Sequence, residues 1–299
     1  MEDGKIKKLL KPGDILVVDR GFRDVVEDLK KDGFQVLMPA MKGKRKQLPC
    51  SEANESRKVT KIRWVVEAVH GAVAQKYSLL HDSLDNKFLP KVRMICQIIR
   101  FLENKFGKRL DSDKSNSDKI VEFMKSRMSL NNSLHQEVEE GRWNLKSTVQ
   151  PLDSSSVLEF PRLTEEEMKL FFTGTYQMSL AAAYLGEIIE EGSPKIFHVK
   201  ENENIIRLSV RSRHINSKYY KAYVEYKAKN DITGIERYCC ECPNGMRTVG
   251  CCAHVACVIY YLSYARYQSK ILRPADFLTK IFSKEEVYPV IEENSEDDT

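Results

Sequence analysis

The sequence predicts an α/β segment followed by a helical linker and an α+β unit, in which a small antiparallel sheet leads into a final helix in a ββα arrangement. Three observations support this: a strand–helix–strand order near the N-terminus, a β-rich stretch late in the chain, and a cysteine–histidine cluster between that stretch and an apolar helix. The predicted units are residues 1–110, 111–160 and 161–270, with an acidic tail at 271–299.

The first unit begins with an apolar run, residues 14–19, that ends in a carboxylate and is typical of a buried strand. A short helix is predicted at 23–31 and a second strand at 34–39, an order that indicates parallel strands. Apolar residues at helical spacing predict longer helices at 51–77 and 89–105, each with one buried apolar face.

The remaining elements alternate with polar stretches. Composition predicts a linker at 111–117, a lone helix at 118–130 and a loose stretch from Pro151 to Ser156. Thr164 and Glu167 have the spacing of a capping box, which starts a helix. The elements predicted after it are a helix at 176–189, meander strands at 196–199, 205–210, 219–226 and 235–238, and a final helix at 253–267.

Charge is distributed unevenly along the chain. The net charge is +5, but residues 1–110 carry 24 Lys+Arg against 14 Asp+Glu, which makes them the better candidate for binding a polyanion. We expect neither a membrane span nor a signal peptide, since no apolar stretch has the required length and residues 1–10 are charged. In such a chain, eight cysteines indicate metal binding or buried thiols rather than disulfides.

Four of these residues have the spacing of a zinc site: Cys240-x-Cys242, nine residues, then Cys252-x-His254. Side chains at i and i+2 of a strand point to the same side, so Cys240 and Cys242 face one metal where the last strand ends. Cys252 and His254 lie where the final helix begins. Buried thiols with an incidental histidine are the alternative interpretation.

A second set of ligands, Cys239, Cys242, Cys251 and His254, also has plausible zinc spacing. The pattern CxC, spacer, CxH over residues 205–267 resembles the SWIM zinc finger, and this resemblance favours the first set, with Cys239 and Cys251 facing away. The cysteines interpreted as small apolar residues are Cys50, Cys96 and Cys257.

Two carboxylates stand out in the first unit. Asp19 ends the first strand and Glu67 lies on the helix that follows the basic loop. A strand-end carboxylate paired with one from a helix can hold divalent metals for phosphodiester chemistry. The alternative is that Asp19 caps a turn and that Glu67 pairs with Arg63, four residues earlier.

The surrounding residues, Gly13–Phe22, Val36–Ala40, Arg63–Glu67 and Gly71, resemble the later half of the catalytic domain of DDE transposases of the PIF/Harbinger-like type. The resemblance implies a truncated RNase H-like segment in which Asp19 and Glu67 are the second and third of three Mg²⁺-binding acids. The first acid has no counterpart among the residues before Asp19. This departure predicts that the chain lacks nuclease activity. The alternative is an active endonuclease whose first acid lies upstream of residue 1.

Partners are predicted from surface chemistry. The basic loop residues Lys42, Lys44, Arg45 and Lys46 could contact phosphates or direct nuclear import, or simply form a solvated loop. The tyrosine-rich strand 219–226 could stack bases, although packing on a helix is favoured. We therefore predict a nuclear, zinc-binding, transposase-derived protein that binds DNA or protein. The negative charge of residues 111–299 favours the alternative of a protein-interaction adaptor.

Overall fold

A computed structural model of the chain describes residues 10–77, 79, 85–107, 114–152, 159–190, 192, 194–212, 215 and 217–268. The predicted acidic tail, 271–299, lies outside the described residues, as does part of the predicted linker at 111–117. Among the described helices, none combines the length and the apolar character that a membrane crossing requires.

The N-terminal strands are parallel, as predicted, but short. Strand β1 (Ile15–Val17) pairs with β2 (Gln35–Leu37), and Leu16 lies opposite Val36. β1 ends before Asp19 because the Asp19 carboxylate accepts the Gly21 N–H at 3.2 Å and starts a 3-10 helix at 20–25. The short helix α1 (Val26–Lys31) follows and leads back to β2.

Two longer helices come next. Helix α2 (Cys50–Lys76) is joined by a 3-10 helix (Asn86–Lys91) to helix α3 (Val92–Phe106). The predicted helix at 89–105 is therefore 3-10 at its start, where Pro90 cannot donate an intrahelical hydrogen bond. Near its C-terminus α3 contacts the end of α2, since Glu103 accepts from Lys76 Nζ at 2.7 Å and Tyr77 Oη at 2.8 Å.

The predicted buried face of α2 is largely wrong. Half or nearly half of each apolar side chain at Ile62, Val65, Val66 and Val69 is exposed, with values from 47% to 54%. On α3, Ile99 is buried while Ile98 is 51% exposed. The reason is the size of the parallel sheet, because two strands of three residues offer too little surface to cover these helices.

Helix α4 (Lys114–Arg127) corresponds to the lone helix predicted at 118–130, and helix α5 (Ser133–Glu140) was not predicted. α5 buries only Leu134 and Val138, too few apolar positions to define a helical period. Its start is fixed by Asn132, whose side-chain oxygen accepts the His135 N–H at 3.0 Å.

The main sheet is an antiparallel meander of five strands in sequential order. Its strands are β3 (Val149–Leu152), β4 (Ile196–Val199), β5 (Asn202–Arg211), β6 (Tyr219–Tyr226) and β7 (Ile235–Cys240). β3 begins ahead of the loose stretch predicted from Pro151 and includes its first two residues. Pro151 pairs with Phe197 on an edge strand, which is where a sheet tolerates proline.

Each face of this sheet is covered by helices. One face packs against α6 (Glu165–Phe171), α7 (Thr175–Glu190) and α8 (Ala253–Ser263), and every residue of α8 is buried. The predicted capping box is present at the start of α6. The other face packs against α5 and Trp143.

The first half of α2 packs on this sheet-containing unit. Asn54 is fully buried, and its side-chain oxygen accepts the N–H groups of Thr248 at 2.8 Å and Val249 at 3.0 Å. Arg57 donates two hydrogen bonds to Thr173 Oγ1, at 3.0 and 2.8 Å. The N-terminal half of α2 therefore belongs to the same packed core as the cysteine cluster.

Candidate metal centre and neighbouring sites

The four predicted zinc ligands lie together. The ligand atoms of Cys240, Cys242, Cys252 and His254 all fall within 4.8 Å of one another, and all four residues are buried. Cys240 ends β7, and Cys252 caps α8, its sulfur accepting the Val255 N–H at 3.5 Å. The junction of the last strand and the last helix thus supplies all four ligands.

Backbone hydrogen bonds fix the turn that follows Cys240 and connects the CxC pair to the CxH pair. The Cys242 N–H donates to Cys240 Sγ at 3.5 Å, and the Gly245 carbonyl accepts the Cys240 N–H at 3.0 Å. A Cβ at Gly245 would lie 1.9 Å from the Cys240 carbonyl oxygen, so a larger residue cannot occupy this position without moving the turn. N–H groups aimed at sulfur favour the thiolate form that metals bind.

The surroundings of the His254 imidazole show whether the site fits a metal. His254 is 3% exposed, and neither ring nitrogen has a hydrogen-bond partner among the residues that the structure describes. The rings of Tyr184 and Tyr220 pack against it with centroid distances of 5.1 and 5.0 Å. Leaving both nitrogens of a buried imidazole unpaired is costly, and coordination of a metal by one of them would remove part of that cost.

The thiols of the cluster lie close enough to shift one another's pKa. Burial raises the pKa of Cys240 well above its ordinary value. Burial acts in the same direction on Cys252, but the neighbouring Cys240 and Cys242 thiols and the His254 imidazole outweigh it and hold the Cys252 pKa well below its ordinary value. The cluster thus favours one thiolate already, and a central cation would stabilise the others. Three thiolates and one imidazole form a donor set that tetrahedral zinc accepts.

The alternative ligand set is not assembled. Cys239 packs on the opposite face of the sheet, against Val138 and Tyr223, because successive residues of a strand point to opposite sides. Burial raises the pKa of both Cys239 and Cys251, which disfavours the thiolate form that a metal binds. Of the three remaining cysteines, Cys50 and Cys257 are buried and Cys96 is half-buried, all as free thiols.

One contact of the metal-binding turn comes from far away in the sequence. Gln47 Nε2 donates to the carbonyl oxygens of both Cys240, at 2.7 Å, and Cys242, at 2.6 Å. The Leu48 N–H donates to the Pro243 carbonyl at 2.9 Å. Sequence reasoning missed Gln47, since nothing in the local pattern distinguishes it from a surface residue after the basic loop.

A cation lies beside Asp19 in the structure. Arg63 Nη1 lies 3.4 Å from the Asp19 carboxylate, and the Arg63 side chain is only 12% exposed. One alternative from the sequence paired Arg63 with Glu67. Glu67 lies one turn further along α2, but its side chain is outside the described residues. Asp19 thus caps a turn and faces a cation at the same time.

The basic loop divides into two parts. Arg45 forms a two-pronged pair with Glu52, both contacts at 2.7 Å, and also donates to the Met41 and Lys42 carbonyls. This holds the loop on the first turn of α2. Lys44 and Lys46 are exposed. On β6, Tyr220 and Tyr223 are buried in the core, which accords with the packing interpretation of this strand.

Adjacent cysteines offer a matched test of the ligand set. Cys240→Ala should abolish stoichiometric zinc binding and lower the melting temperature sharply, since structural zinc contributes folding free energy. Cys239→Ala, one residue away and equally buried, should retain zinc and cost on the order of 1 kcal/mol. Elemental analysis of the purified full chain together with thermal melting measures both effects. Loss of zinc from the Cys239 variant, with zinc retained by the Cys240 variant, would show the other ligand set to be correct.

Comparison with known proteins reaches only the first unit. No curated protein and no solved structure matches the chain. The family model of the DDE superfamily endonucleases matches residues 1–104. The first third of the chain, which carries Asp19 and α2, is therefore similar to a transposase-like DDE domain.

Proposed function

We propose that this is a zinc-binding protein derived from a DNA transposase, in which a SWIM-type module joins part of a PIF/Harbinger-like DDE domain. The observation that carries the proposal is the buried Cys240, Cys242, Cys252 and His254 cluster at a strand–helix junction. Its spacing and the preceding antiparallel strands support the SWIM assignment. Zinc in this position is structural, since four protein ligands fill a tetrahedral shell and leave no site for substrate.

We propose further that the chain binds DNA in the nucleus without cutting it. Residues 1–110 carry the excess of basic residues, and the lysines at 44 and 46 are exposed where a phosphate backbone could reach them. Protein binding by the acidic remainder of the chain is the second candidate, and the net negative charge of residues 111–299 favours it.

The environment of Asp19 supports the absence of nuclease activity. The nearby Arg63 guanidinium offsets the negative charge with which Asp19 would bind Mg²⁺. Asp19 and Glu67 are the residues that would hold Mg²⁺, which would activate water and stabilise the leaving oxygen when bound. Two carboxylates, one already paired, make a weak site for two divalent ions.

DNA binding is tested by neutralising the exposed lysines. Lys44→Gln with Lys46→Gln should weaken DNA binding for all sequences and reduce the slope of log affinity against log salt by about 2, roughly 0.9 for each phosphate that is no longer neutralised. The matched control is Lys30→Gln with Lys31→Gln, which changes the same charge on α1, where each lysine already pairs with an acid. Gel-shift titration over a range of salt concentrations measures the slopes. Equal slopes for wild type and the Lys44/Lys46 variant would remove the basic loop from the interface.

Nuclease activity is tested on supercoiled plasmid with Mg²⁺ or Mn²⁺. The full chain should leave the plasmid intact, because Arg63 already pairs with Asp19 and two carboxylates would hold two divalent ions only weakly. Asp19→Ala and Glu67→Ala serve as controls for contaminating nuclease. Cleavage by the wild type that disappears in both variants would establish the active endonuclease instead.

A further inference from the structure

A second site lies between α2 and the N-terminus of α7, away from the cysteine cluster. It is a cavity of about 70 Å³ whose walls include Arg57, Lys61 and Trp64 from α2 and Thr175 and Tyr176 from α7. A water molecule needs about 10–15 Å³ on this scale, so the cavity holds a few waters or one small ion. It is far below the 300–1,000 Å³ or so that an organic ligand of drug size requires.

Two cations converge on this cavity. Arg57 is 7% exposed and is held by Thr173 Oγ1. Lys61 Nζ lies above Gly174, only 2.7 Å from the point where a Cβ of that residue would be. Burial, together with the charge of Arg57, lowers the pKa of Lys61 to about 8. Among the described residues Lys61 has neither a hydrogen bond nor an ion pair, and no carboxylate lines the cavity.

The N-terminal end of α7 adds a third source of positive charge. The first turn of a helix directs its backbone N–H groups outward and carries a partial positive charge. Helix α7 has 16 residues, and its first turn contains no acidic side chain. A partly buried lysine beside an arginine at this end of a helix is unfavourable unless an anion neutralises the group.

We propose that this cavity binds one phosphate group. Lysine, arginine and a helix N-terminus are the donors that proteins combine for phosphate, and the cavity volume suits a tetrahedral anion. Trp64 and Tyr176 stand at its wall and could contact the sugar or base of a nucleotide that carries the phosphate. The cavity contains no residue of the cysteine cluster and no residue of the basic loop.

The test uses Lys61→Gln in the zinc-loaded full chain. Inorganic phosphate should raise the melting temperature of the wild type above that measured in chloride of equal ionic strength, and should change the fluorescence of Trp64. Lys61→Gln should bind phosphate roughly tenfold more weakly or worse, as expected when one charge-assisted hydrogen bond is removed. Without phosphate it should melt no lower than the wild type, because the repulsion with Arg57 is relieved.

The matched control is Lys58→Gln, on the same helix but with a side chain that is 52% exposed and pairs with Glu55. It should keep the full phosphate shift. No shift in the wild type, or an equal shift in Lys61→Gln, would overturn the proposal. The affinity of each variant for a duplex oligonucleotide distinguishes a phosphate of a nucleic acid strand from free phosphate. If Lys61→Gln also weakens DNA binding, the phosphate belongs to a nucleic acid strand, and if DNA binding is unchanged while the phosphate shift disappears, the site takes free phosphate.

Discussion

Three thiols and one imidazole share a buried space at the end of β7, with every ligand atom within 4.8 Å of the others. Packing alone would leave this group at high free energy, because neither imidazole nitrogen has a hydrogen-bond partner in the described part of the chain and three thiols are buried together. A metal ion would give one imidazole nitrogen and the three sulfurs a common partner. It would also fix the direction in which α8 leaves the cluster, and α8 is the fully buried helix that fills one face of the sheet. The fold of the C-terminal unit therefore depends on this centre.

The same centre also organises part of the first unit. Gln47 bonds to the carbonyls of two cysteine ligands, and Asn54 and Arg57 continue the contact along α2. The segment that is similar to DDE endonucleases thus packs its long helix against the sheet-containing unit. Its own parallel sheet has two strands of three residues and cannot bury the second half of that helix. Asp19 and Glu67 belong to the part of the molecule with the smaller core.

Sequence reasoning succeeded where the determinants are local. The CxC and CxH spacings, the capping box at Thr164 and the alternation of β5 to β7 are set by residues a few positions apart, and the structure has all of them. It failed where partners are distant. β3 is a strand only because it pairs with β4, more than forty residues later, and Gln47 contacts a turn 193 residues away. Periodicity identified the apolar stripe of α2 but could not show that too little sheet is present to cover it.

The most direct test of this account is amide hydrogen exchange of the full chain before and after zinc is removed with a chelator. If the metal centre holds the first half of α2, amides at 51–60 should lose protection together with those at 240–263, while α3 at 92–106 changes little. A matched sample with zinc restored should recover the original pattern. Loss of protection confined to residues 240–263, with α2 unchanged, would contradict the claim that one metal centre organises both units.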